Sequence, residues 1–194
     1  MAPFVSNLKR TYWNVTDLEK YHSDQSPLDP YPDHNELCVE VDAESANTIG
    51  SLIKNSGHLQ APAIDIDWHC EYRYFQDRQE LDIWCRRPAL HDEEIISYLE
   101  ELQGYTFIKR ALFSGNIHYR LEFTPETQLV LVPSKTPDHF HLYIETILAF
   151  NHYVHFLEIL ERLGIVQAGF RAMTQRRKMS HLRKPNAELF VISS

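Results

Sequence analysis

Residues 127–164 read TQLVLVPSKTPDHFHLYIETILAFNHYVHFLEILERLG. The first seven alternate into an apolar run and predict a strand. Pro133 to Asp138 is turn chemistry, with two prolines around Ser134-Lys135-Thr136. His141 to Glu145 predicts a second strand. Thr146 is a candidate cap for a long helix ending at Gly164, with Ile147, Phe150, Val154, Leu157 and Leu160 on its inner face. Strand, short loop, strand, helix is a mixed arrangement without regular βαβ alternation.

The flanking sequence extends the pattern. HDEEIISYLEELQG (His91 to Gly104) predicts a helix with acids in its first turn and an apolar stripe of Ile95, Ile96, Leu99 and Leu102. YTFIKRALFSGNIHYRLEFT predicts a hairpin around Ser114-Gly115-Asn116. Asn35 to Asp42, Ala61 to Phe75 and Glu80 to Arg87 predict strands, and Ala43 to Asn55 a short helix capped by Asp42. IVQAGFRAM and HLRKP predict short strands, followed by the apolar run LFVIS. The fold class is α+β: a mixed or antiparallel sheet with helices on one side. Three prolines in residues 21–35 mark residues 1–34 as an extended N-terminal arm. Residues 35–194 then form one domain, with a helix and hairpin inserted at about 71–126.

Composition sets the outer bounds. With 194 residues, 43% hydrophobic, the chain has enough apolar surface for one core. No apolar run approaches the roughly 20 residues of a membrane span, and the first residues lack the apolar stretch of a secretion signal. The expectation is a cytoplasmic protein without a membrane partner, its three cysteines reduced and buried. The net charge of −8 is uneven: Arg162 to Ala187 holds seven Lys or Arg and no Asp or Glu. That segment carries +7 and leaves −15 for the remainder, which suggests a basic face on an acidic body.

Three groups of residues could carry chemistry. On a regular strand Asp65 and Asp67 in AIDID share a face, about 6 to 7 Å apart at Cα, and His69 continues the row. Two close carboxylates repel unless a cation sits between them, so the pair suits Mg²⁺ or Mn²⁺; it also suits a solvated strand face. His139 and His141 share a face with Tyr143 and Glu145, and Ser134 and Lys135 stand on the loop before them, where hydroxyl and ammonium could meet phosphate. Arg183, with Arg176, Arg177, Lys178 and Lys184, offers phosphate or backbone contacts; a solvated basic loop would look the same. HxH followed by Glu145 also resembles the metal signature of cupins, but its flanking glycines are missing and a helix follows where a jelly roll needs a strand. No nucleophile elbow, phosphate-binding P-loop or zinc-protease motif is present.

In order, APAIDID, LVLVPSKTPDHFHLYI and GIVQAGFRAMTQRRKMSHLRKPN resemble a group of mostly phage-encoded, largely uncharacterised proteins, in three blocks covering about half the chain. That group is distantly similar to the archaeo-eukaryotic primase superfamily, the primase-polymerases. The resemblance implies an RRM-like palm with Asp65 and Asp67 as metal ligands, Ser134 and His141 as nucleotide contacts and Arg183 as a phosphate contact. It implies Mg²⁺ or Mn²⁺ as cofactor. No Asp follows Asp138, so Glu145 is the nearby candidate for the third acid, and Asn186 stands where the family's segment has glycine. The expectation is a nucleotide- or nucleic-acid-binding protein on a degenerate palm without catalysis. A metal-dependent nucleotidyltransferase is the alternative, and a virion or host-protein-binding component a third.

Overall fold

The computed structural model describes residues 6–15, 38–67, 69–86, 90–115, 118–134 and 139–184. Every strand pairing among them is antiparallel. The centre is a three-stranded sheet of β4 (Ala63–Ile66), β10 (Phe140–Glu145) and β9 (Gln128–Pro133), in the order β4-β10-β9. One face of this central sheet, including Ile64, Ile66, Leu129, Phe140, Leu142 and Ile144, enters the larger core. There it meets α2 (Phe150–Arg162) and an outer sheet. The opposite face presents Ala63, Val130, Val132 and Tyr143 to a smaller core, against Tyr12, Ile49 and Leu182 of an N-terminal sheet. Burial on both faces explains why LVLV and FHLYIE read as near-continuous apolar runs.

The N-terminal sheet comprises β1 (Arg10–Val15), β2 (Cys38–Glu40), β3 (Thr48–Ile53) and β11 (His181–Arg183), in the order β11-β3-β1-β2. The outer sheet comprises β5 (Cys70–Phe75), β6 (Glu80–Cys85), β7 (Ile108–Phe113) and β8 (His118–Phe123), in the order β5-β6-β8-β7. Helix α1 (Asp92–Gln103) joins β6 to β7 and buries Ile95, Leu99 and Leu102, while Ile96 faces solvent. Its start is fixed by the His91 N–H donating to Glu94 Oε2 at 3.1 Å. Helix α3 (Ala168–Arg177) packs on α2.

The α+β class holds, with three helices and three antiparallel sheets among the described residues. Several expectations change. One face of the central sheet meets α2 as expected, but the other is covered by a second sheet rather than left open. Residues 10–15, expected within an arm, form an inner strand of that second sheet. The expected helix at 43–55 is a turn followed by β3. Its apolar spacing fits a helix, yet Thr48, Ile49 and Ile53 are β-branched, and β1 runs so close that a Cβ at Gly50 would lie 2.6 Å from Thr11 Oγ1. IVQAGFRAM contributes to α3 instead of a strand. Thr146 does not cap α2; Ala149 occupies that position. The LFVIS run and residues 16–34 lie outside the described residues. No helix among the described residues is long and apolar enough to cross a membrane.

Candidate functional site

The β4–β10 register sets His141 opposite Asp65. Asp65 Oδ1 lies 3.8 Å from His141 Nε2 and 3.6 Å from His139 Nδ1. That oxygen is buried and accepts no hydrogen bond among the described residues. The Asp65 side chain as a whole is 35% exposed, so the carboxylate stands at the rim of the sheet with one oxygen turned inward. Beside it the His141 side chain is only 5% exposed. Burial pushes the pKa of His141 down to about 4; Asp65 pulls it up and His139 pushes it further down. At neutral pH His141 is therefore an uncharged imidazole. Its Nδ1 sits 3.5 Å from the Tyr143 hydroxyl.

The turn at the end of β9 brings His139 to this place. The Ser134 N–H donates to the His139 carbonyl at 2.9 Å, closing the neck of the loop. His139 then lines a groove of about 520 Å³ together with Cys70, Glu71, Tyr72, Arg86, Pro133 and Phe140. The rings of Tyr72 and Phe140 meet at a centroid distance of 3.9 Å. Arg86 pairs with Glu71 at the solvent edge. The groove thus combines an aromatic wall, an exposed guanidinium and His139, the residue that also approaches Asp65. This volume falls in the range of small-molecule sites.

The other expected residues are placed differently. The regular strand needed to put Asp65 and Asp67 on one face ends at Ile66. Asp67 lies in the turn that carries the chain from the central to the outer sheet, and it is 1% exposed. Its N–H donates to the Ile165 carbonyl at 2.9 Å, and its Oδ1 accepts from the His69 N–H at 3.1 Å. The expected row of Asp65, Asp67 and His69 is broken there because the chain changes sheets.

Glu145 is four residues along β10 from His141, about 13 Å away. Its Oε1 accepts from Arg10 Nη2 at 2.8 Å and Nε at 3.0 Å, and its Oε2 accepts from Ser6 Oγ at 2.7 Å. Arg10 and Glu145 side chains are 0% and 6% exposed. The guanidinium also donates to the carbonyls of Ala61 and Ile144. Glu145 is a partner for a buried arginine, not a third acid beside Asp65.

Several side chains of the basic segment are engaged within the fold. Arg177 is buried at the end of α3. Lys178 follows in the left-handed conformation, with Nζ 5.0 Å from the Phe150 ring centre. Lys184 Nζ donates to the carbonyls of Ala43 and Glu44, holding the turn before β3. Arg171 pairs with Glu161 at 2.6 Å. Arg176 is exposed, and Arg183 is half-buried on the edge strand β11, opposite Thr48. Lys135 lies outside the described residues.

Arg10, Tyr72 and Arg86 had no sequence signal: each sits in an ordinary strand pattern or loop and gains meaning only through contacts far along the chain. Among the described residues no group of three or more His, Cys, Asp or Glu side chains is placed to hold a metal ion by itself. No protein-family model, curated protein or solved structure matches the chain.

Proposed function

We propose that this chain binds a nucleotide together with a divalent cation and does not turn it over. The observation that carries the reading is Asp65 Oδ1, buried against two imidazoles without a hydrogen bond among the described residues, one of which, His139, lines a groove of nucleotide size. Mg²⁺ and Mn²⁺ are often held by one or two carboxylates plus phosphate oxygens, keeping the rest of their shell as water. Asp65 supplies the single carboxylate and His139 the adjacent nitrogen. Tyr72 offers a stacking face for a base, and Arg86 a charge for phosphate.

The pairing of the Asp65 strand with the histidine strand supports a degenerate primase-polymerase-like palm as the origin of this site. The placement of Glu145 and Asp67 supports binding over catalysis, because a two-metal transfer would need further carboxylates beside Asp65. The engagement of Arg171, Arg177, Lys178 and Lys184 within the fold favours a small nucleotide over a long nucleic acid, whose backbone needs free cations along its track.

The test is a thermal shift with a nucleoside triphosphate, with and without Mn²⁺. At about a hundred times Kd, binding adds about 2.7 kcal/mol, or about 5–10 °C in Tm. Asp65→Asn is expected to lose the shift. Equal behaviour of Asp65→Asn and wild type, or no shift at millimolar Mn²⁺ and nucleotide, overturns the reading.

A further inference from the structure

Cys70 and Cys85 face each other across β5 and β6. Both are buried, both are thiols, and their sulfurs are 3.4 Å apart. Their strand position matters. The Arg86 N–H donates to the His69 carbonyl at 3.1 Å, one residue outside the pair on each strand. That pattern makes Cys70 and Cys85 a non-hydrogen-bonded pair, the kind whose Cα atoms approach to about 4.5 Å and whose side chains are closest. A disulfide accepts Cα separations of about 4.4–6.8 Å, and needs its sulfurs at about 2.05 Å. The backbone is therefore already inside the permitted range, and bond formation requires only that the sulfurs close by rotation of the side chains.

We infer that Cys70 and Cys85 form a reversible dithiol–disulfide pair that oxidation closes within the native fold. Cys70, 5% exposed against 2% for Cys85 and one of the residues lining the groove with Tyr72 and His139, is the more accessible of the two and takes the first attack. Cys85 has its backbone on the inner strand β6. The oxidant is a low-molecular-weight disulfide. The Cys70 thiolate attacks one of its sulfurs and expels one small thiolate. The Cys85 thiolate then attacks the Cys70 sulfur and expels the second. The protein gives up two electrons and two protons, and the small disulfide becomes two thiols.

The new bond has structural consequences. As a thiol, Cys70 Sγ donates to the Gly164 carbonyl at 3.4 Å, beyond the end of α2. The disulfide removes that donor and ties the groove wall to β6. It closes a loop of modest length, so the oxidised chain should be the more stable form. None of this depends on what the groove binds.

The experiment uses the full chain, reduced and then incubated with glutathione disulfide, alkylated and mapped by mass spectrometry. The expected product is a monomer lighter by about 2 Da, with Cys70 and Cys85 peptides linked. Its Tm should rise by about 5–10 °C and return on reduction. Cys38→Ser should behave as wild type, and Cys85→Ala should neither form the link nor gain the Tm. Three results overturn the inference: glutathione retained on Cys70, modification confined to Cys38, or a linked product that unfolds at lower temperature than the reduced chain.

Discussion

The two ends of β10 carry similar chemistry in opposite states. At one end Glu145 meets Arg10, and both carboxylate oxygens accept hydrogen bonds. At the other end Asp65 approaches His139 and His141, and its inner oxygen accepts none among the described residues. A buried charge is tolerated when it is paired and fully hydrogen-bonded. The Glu145 end meets that condition and serves the fold. The Asp65 end does not, and an unsatisfied polar atom beside a groove points to a ligand. The comparison separates two carboxylates that composition and strand parity made equivalent.

The largest expected effect breaks the closed end. Arg10→Met leaves Glu145 buried without its cation, and should cost about 3–5 kcal/mol in urea unfolding. Adding Glu145→Gln should recover part of the loss. A cost below about 1 kcal/mol for Arg10→Met would show that the pair is not what holds the N-terminal sheet to β10.

The next effect belongs to His141. Its pKa in the folded chain, about 4, is below the ordinary value of 6.5. Between these values the unfolded chain takes up a proton that the folded chain refuses. Stability therefore rises with pH across this window and is flat with respect to His141 above it. The full contribution is about 3 kcal/mol. His141→Gln should flatten the pH dependence of Tm between pH 4 and 6.5; an unchanged slope would place the titration elsewhere.

The smallest stability effect is expected at the open end. Asp65→Asn removes a charge whose inner oxygen has no donor among the described residues, so it should change stability by about 1 kcal/mol or less, in either direction. A loss as large as that of Arg10→Met would mean that Asp65 is structural too, and the contrast between the two ends would fall.

The sequence shows some of this fold because local and tertiary preferences agree there. α1, the β7–β8 hairpin, β9, β10 and α2 each have a clear hydrophobic period. β3 does not show in the sequence because Ala46, Ile49 and Ile53 fit a helical stripe, while the constraint on Gly50 comes from Thr11 and Trp13 of another strand. α3 does not show as a helix because it buries Thr174 and Arg177 and so lacks an apolar stripe. Within the site, the meeting of Asp65 with His141 follows from pairing two legible strands. The separation of Asp67 does not, since nothing in AIDIDWHC marks where the strand ends. The loss of Glu145 to Arg10 is a contact across 135 positions, with no local trace.

The most direct test asks whether Asp65 holds a cation beside the two imidazoles. Mn²⁺ broadens the proton signals of nearby imidazoles, and His139 and His141 lie beside Asp65 while Glu145 is about 13 Å along the strand. With a nucleoside triphosphate present, Mn²⁺ should broaden the His139 and His141 ring signals in wild type and leave them sharp in Asp65→Asn. Both imidazoles staying sharp in the wild type at saturating Mn²⁺ and nucleotide would contradict the account.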